Sequence, residues 1–172
     1  MPAATAPQPI SGVSAGRETV IEDVFPSIAA SGLGRFLGQL MDSIPLSING
    51  IRLSQVLFAP LVAPLALIGY LKFKVTDPVY IVTNRSVQAR RPLSRNLIQQ
   101  ASLSEIANIA IRVSPGQQFY QAGDLQLLNA GGDVLMTLAG IPRPERFRQV
   151  ILEARAARIS SDRSLEVIKA RG

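Results

Sequence analysis

The chain contains neither histidine nor cysteine. That removes the commonest general base, the commonest metal ligand, and every thiolate or disulfide. Serines are plentiful, but a serine nucleophile here would need a lysine base. The three lysines are poorly placed for that role: Lys72 and Lys74 border an uncharged apolar run, and Lys169 stands near the C-terminus. Gly131-Gly132 is no phosphate loop, because no Gly-Lys-Ser/Thr follows it between a strand and a helix. Asp124, in Ala122-Gly-Asp-Leu125, reads as a turn residue rather than an acid catalyst. A bare carboxylate site for a hard cation stays open, yet nothing resembles an EF-hand loop. The expectation is a chain with no catalytic residue, cofactor site or metal site, and hence not an enzyme.

The residue types favour binding of anionic surfaces instead. Arg85, Arg90, Arg91 and Arg95 fall within eleven residues, shortly after Lys72 and Lys74. Each cation beside an anionic leaflet contributes about 1 kcal/mol. These six are the candidate contacts, to lipid phosphates or to an acidic surface of a membrane protein. Solvated surface charge that merely sets topology is the bland alternative. Nucleic acid is disfavoured, since aromatic residues make up 5% of the chain and no stacking platform is interleaved with the cations.

The elements that must position these cations divide the chain unevenly. Met1–Leu71 carries three cations and four acids, Lys72–Gly172 fifteen and eight, for a net charge of +6 overall. A neutral, greasy front and a basic rear fit a membrane with an anionic leaflet beside the basic part. Residues 1–16 read as a flexible Pro/Ala/Ser/Gly tail, without the basic and apolar regions of a signal peptide. Residues 17–53 read as an amphipathic, interfacial segment. In it Phe25, Ile28, Ala29, Leu33, Phe36, Leu37 and Leu40 recur at helical spacing, and Asp42 and Pro45 end the run. Gly32, Gly34 and Gly38 weaken such a helix by about 1 kcal/mol each but permit close packing in a bilayer.

Residues 54–74 hold the strongest local signal, VLFAPLVAPLALIGYL from Val56 to Leu71 without a charge. With Ser54 and Gln55 it reaches the roughly 17–25 residues that cross a hydrocarbon core. Pro60 and Pro64 interrupt its hydrogen bonding. A transmembrane helix is expected, with a re-entrant helix or a buried soluble one as alternatives. Val56, Leu57, Phe58, Leu61, Leu65, Ile68, Tyr70 and Leu71 are the expected membrane anchor. The cations that follow place the C-terminal part on the cytoplasmic side of a bacterial inner membrane by the positive-inside rule.

Beyond Asp77-Pro78 the pattern turns to short strands. Val79–Val87 is rich in β-branched residues, and Tyr80, Val82 and Val87 share a buried face if a bulge falls near Asn84. Leu103, Ile106 and Ile109 step by three before Ile109, Ile111 and Val113 alternate, which suits a turn feeding a strand. Asn129-Ala-Gly-Gly-Asp133 suits a hairpin loop. Pro142-Arg-Pro-Glu145 opens a helix whose Phe147, Val150, Ile151, Ala154 and Ala157 form one apolar face. Residues 159–172 read as a tail or further short helix.

In this stretch Tyr80-Ile-Val-Thr-Asn-Arg-Ser-Val87 resembles the opening strand and turn of bacterial pleckstrin-homology-like (PH-like) domains. Leu103-Ser-Glu-Ile-Ala-Asn-Ile109, Phe119-Tyr-Gln-Ala-Gly-Asp-Leu125 and Ile141-Pro-Arg-Pro-Glu-Arg-Phe147 continue it in order. The resemblance implies an α+β, mainly β fold over residues 78–158. Its centre is a seven-stranded, partly open β-barrel capped by a C-terminal helix, preceded by the hydrophobic helical segment. Many relatives carry a pair of spanning helices before the domain, where this chain has one convincing span. The resemblance also implies a binding role. One expectation is a membrane-anchored scaffold, an accessory or assembly subunit of an integral-membrane protein complex, with photosynthetic reaction-centre assembly as an example from relatives. The other is a stand-alone module for anionic membrane lipids.

Overall fold

The computed structural model describes residues 18–43, 47–48 and 51–169; the tail at 1–16 and Pro45 lie outside the described residues. Two antiparallel sheets and a C-terminal helix make up the β-rich part. The first sheet has the order β1-β4-β5-β6, from Val20–Val24, Val79–Thr83, Ser86–Arg90 and Leu97–Ser102. The second runs β7-β8-β9, from Asn108–Arg112, Ala122–Leu128 and Val134–Pro142. A third, minimal ladder pairs β2 (Ser47–Ile48) with β3 (Ile51–Arg52).

The expected partly open barrel takes the form of two separate antiparallel sheets, neither of which closes. Between β6 and β7 the chain turns through Leu103 and Ile106, both fully buried, and passes to the other layer instead of continuing a ladder. Where closure would fall, the Gln99 side chain donates to the Leu135 carbonyl at 3.0 Å. Side-chain and apolar contacts thus join the layers. The core lies between them, with Val82, Val87, Leu125, Leu127, Leu138, Ile141 and Ile151 among its members. Val82 stands opposite Val87 across a tight Asn84-Arg85 turn, so no bulge is needed there to bring them to one face.

Val20–Val24, expected within an interfacial segment, is a strand that pairs antiparallel with β4. The boundary drawn at residue 78 therefore divides a single sheet. The helical run also starts later than its apolar spacing indicates. Pro26 is followed by a short 3-10 turn at Ile28–Ala30, and Ser31 caps α1 (Gly32–Asp42) by accepting from the Gly34 amide at 3.0 Å. α2 spans Leu53–Thr76 with both prolines inside it and lies against α1. The helix pair is thus inserted between two neighbouring strands, both of which meet it at one end of the sheet.

Gly34 and Gly38 do permit close packing, but against the domain. A Cβ at Gly34 would strike the Ile28 carbonyl, and one at Gly38 the Gly116 carbonyl and the Tyr120 ring. A buried polar clip fastens the same region. Asp124 lies in β8 and not in the expected turn; its carboxylate accepts from Gln117 Nε2 at 2.7 Å and from the Gly140 amide at 2.8 Å. The Gly140 carbonyl in turn accepts from the Ser27 amide at 2.8 Å. Gly140 has φ +63°, and a Cβ there would sit 2.6 Å from Ala30 Cβ, so glycine is required.

α3 runs unbroken from Pro144 to Lys169, where a separate tail or short helix was expected from residue 159. Phe147, Ile151 and Ala154 are its buried stripe, at the i, i+4, i+7 spacing of one helix face. Ala157 is exposed, being turned away from the stripe that Phe147, Ile151 and Ala154 form. Arg146 meets Glu22 of β1 at 3.5 Å, a further tie between the front strand and this helix.

Candidate binding surface

Strand register decides which cations meet. Val79 pairs with Arg90, and Val24 with Tyr80. The end of β1, the arrival of α2 through Asp77-Pro78, and the β5–β6 connection therefore share one end of the sheet. That connection is a compact loop: the Arg91 amide donates to the Asn96 carbonyl at 3.0 Å and the Arg95 amide to Arg91 at 2.9 Å. Arg95 takes a left-handed φ of 53° to close it. Lys72, Lys74, Arg90, Arg91 and Arg95 are accordingly gathered at this end. Arg85 is not; it sits in the turn at the other end of β5, roughly 16 Å away at the usual rise of a strand.

The apolar candidates run along α2, whose last turn arrives at this end of the sheet. Leu57 and Ile68 of α2 are 63% and 66% exposed, and Val56, Leu65, Leu67, Tyr70, Leu71 and Val75 are exposed too. Phe58 is half-buried, and the Leu61 side chain lies outside the described residues. The alternative of a buried soluble helix does not hold for these side chains. Among the described residues no helix is long and apolar enough to cross a membrane; the spanning expectation for 54–74 is therefore unsupported. At the base of α2, Lys74 Nζ lies 5.7 Å from the Tyr70 ring centroid, and both line a small cavity of about 140 Å³ with Phe25, Pro26 and Ile28. Leu93, at the tip of the arginine loop, is 79% exposed.

A larger cavity of about 510 Å³ opens on the outer face of the first sheet. Val79, Ile81, Thr83 and Gln88 line it from β4 and β5, and Arg90, Arg91 and Arg95 bring cations to it. Side chains alternate along β5, so Ser86, Gln88 and Arg90 share the outer face while Val87 and Ala89 enter the core. Thr83, Ser86 and Gln88 are polar yet only 1–2% exposed. Their common partner is Glu18, whose Oε1 accepts from Ser86 Oγ at 2.6 Å, Thr83 Oγ1 at 2.8 Å and Gln88 Nε2 at 2.8 Å. Arg90 Nε donates to Gln88 Oε1 at 2.8 Å and orients that amide. The Ser86 bond, then those from Thr83 and Gln88 and the charge of Arg90, hold the Glu18 carboxyl below its usual range against the opposing effect of burial. Asp77, where α2 meets β4, is pushed the other way by burial.

The Glu18 cradle was not foreseen. Its only trace in the sequence is the polar alternation Ser86, Gln88, Arg90 within an otherwise apolar hairpin; that a glutamate from before β1 completes it depends on a long-range pairing. Among the described residues no cluster of three His, Cys, Asp or Glu side chains could hold a metal ion.

A family model described as Bacterial PH domain matches residues 31–155. The match covers most of the chain, which belongs to the bacterial PH domain family. It takes in α1 and α2 as well as the strands from β4 to β9 and the first part of α3, while β1 lies ahead of it. Two antiparallel sheets with a C-terminal helix fit the PH-like fold. No curated protein and no solved structure matches the chain.

Proposed function

We propose that the protein is a non-enzymatic, membrane-attached scaffold. In this reading the PH-like domain is held at the cytoplasmic face of the bacterial inner membrane and makes contacts with subunits of an integral-membrane complex. The observation that carries the proposal is the exposed apolar surface of α2. Taking a leucine or isoleucine side chain out of water contributes about 1.5–3 kcal/mol, and five such side chains (Leu57, Leu65, Leu67, Ile68 and Leu71) lie open on one inserted helix, with Val56, Tyr70 and Val75 beside them. A soluble monomer rarely exposes a contiguous apolar patch of that extent. The apolar face is satisfied by lying in the bilayer interface or against another membrane protein, and neither arrangement requires a crossing. The glycines and the Asp124 clip hold the helix pair to the domain, so whatever covers the helices also fixes the domain's position. No observation singles out a photosynthetic complex.

A second reading, binding of anionic lipids, is favoured by the loop that places exposed Leu93 between Arg91 and Arg95 at the end where α2 arrives. Purification from native membranes in mild detergent separates the two. Co-purification of a stoichiometric membrane protein supports the scaffold. A clean monomer that binds anionic but not neutral vesicles, and loses them on Arg91→Ala/Arg95→Ala, supports the lipid module and sinks the scaffold.

A further inference from the structure

The cavity on the outer face of the first sheet has two features that do not follow from holding β1 in place. Its donors are almost wholly buried, while Glu18, the carboxylate on which Thr83, Ser86 and Gln88 converge, is exposed; Thr83 Oγ1 also accepts from the Ser86 amide at 2.9 Å and Gln88 Nε2 reaches Ser86 Oγ at 2.9 Å, so the cradle is held in shape by bonds of its own. The cavity is also far larger than one carboxylate, at about 510 Å³. Arg91 and Arg95 line its outer part, and among the described residues no ion pair engages either of them. Three arginines face two acids there, Glu18 and Asp23.

We propose that this cavity is a docking site for an acidic peptide segment of a partner protein, with Glu18 as its resident intramolecular ligand. One incoming carboxylate takes the Thr83, Ser86 and Gln88 donors that Glu18 now occupies, and further carboxylates meet Arg91 and Arg95. The choice of a carboxylate over other anions comes from the occupant itself. Two hydroxyls and an amide converge on one oxygen of a singly charged group, and the nearest guanidinium reaches them through Gln88 instead of forking onto the anion. A neutral-donor cradle with cations set back from it suits a side-chain carboxylate followed by others along a chain. Glu18 then acts as a plug that sets the affinity: a partner must displace it, and its removal opens the site. This names the chemistry of the scaffold's partner and rests on that reading for the partner's existence, but the site itself stands independently of membrane attachment.

The test uses the full chain in nonionic detergent with fluorescein-labelled hexaglutamate, hexaglutamine as control, and anisotropy as the readout. Wild type is expected to bind hexaglutamate weakly, Glu18→Ala about tenfold more tightly, and Glu18→Gln, which keeps a hydrogen-bonding side chain beside β1, about threefold more tightly. Adding Gln88→Leu to Glu18→Ala is expected to abolish the gain, and Arg91→Gln/Arg95→Gln to remove binding. Several results overturn the proposal: equal binding of hexaglutamine, a gain that survives Gln88→Leu, no binding by any form, or binding of phosphatidylglycerol vesicles with no response to the peptide. Flotation of the same variants with membranes is read in parallel. Lost flotation with peptide binding intact would break the membrane reading and leave this site standing.

Discussion

Replacing Asp124 by alanine removes the one acceptor shared by Gln117 Nε2 and the Gly140 amide. Gln117 is fully buried, so its amide has no water to turn to and keeps only the long 3.5 Å contact to the Ala29 carbonyl; a buried donor that loses its good partner costs about 1–3 kcal/mol. With the Gly140 amide added, Asp124→Ala is expected to cost about 2–5 kcal/mol, a large share of the roughly 5–15 kcal/mol that a domain has. Asp124→Asn keeps an oxygen at the same place and is expected to cost about 1 kcal/mol. Urea unfolding of the full chain in detergent, followed by far-ultraviolet circular dichroism, measures both. At a slope of about 2 kcal/mol per molar urea, the alanine variant's midpoint falls by about 1–2.5 M and the asparagine variant's by about 0.5 M. An alanine midpoint within error of wild type would refute the claim that this clip fastens the Ser27–Ala30 turn to β9. An asparagine variant as unstable as the alanine one would show that charge, not acceptance, is what matters.

Gly38→Val places side-chain atoms where the Gly116 backbone and the Tyr120 ring already stand, so α1 is expected to lift from the domain, with faster hydrogen exchange across Gly32–Asp42 and unchanged exchange in β8. Tyr80→Phe leaves the Ala139 amide without the phenolic oxygen that accepts from it at 3.1 Å; a loss of about 1–2 kcal/mol is expected in the same urea assay, and none would mean that solvent reaches that amide. The Glu18 carboxyl is held below its ordinary range in the folded chain, so its stabilising contribution is complete above that range and fades as pH falls through the depressed value. Wild type is therefore expected to be more stable than Glu18→Gln near neutral pH and to converge on it in acid; a difference that persists at about pH 2 would contradict this sign.

Local chemistry carried much of the fold. The Asn129–Asp133 hairpin formed as its residues indicate, with the Asp133 amide donating to Asn129 Oδ1 at 2.8 Å and Gly132 at φ +87°. Leu103, Ile106 and Ile109 all enter the core, and Pro144 opens α3. What local pattern could not show was partnership across the insertion. Val20–Val24 joins β4 some sixty residues later, and nothing in Val-Ile-Glu-Asp-Val distinguishes a sheet strand from an interfacial segment until its partner is known. The same holds for the arginines. Proximity in sequence grouped Arg85 with Arg90, Arg91 and Arg95, yet one strand's length puts it at the opposite end of the sheet. Glycine spacing was legible as close packing, but not as packing against Gly116 rather than another helix.

The exposed apolar face of α2 is the feature on which the account turns, and partitioning of the full chain measures it directly. Expressed at native level and fractionated after a high-salt and carbonate wash, the protein is expected to remain with the membranes. Replacing Leu57, Leu67, Ile68 and Leu71 together by glutamine is expected to release a folded protein to the soluble fraction. A wild-type chain found monomeric and folded in the soluble fraction without detergent would contradict the account.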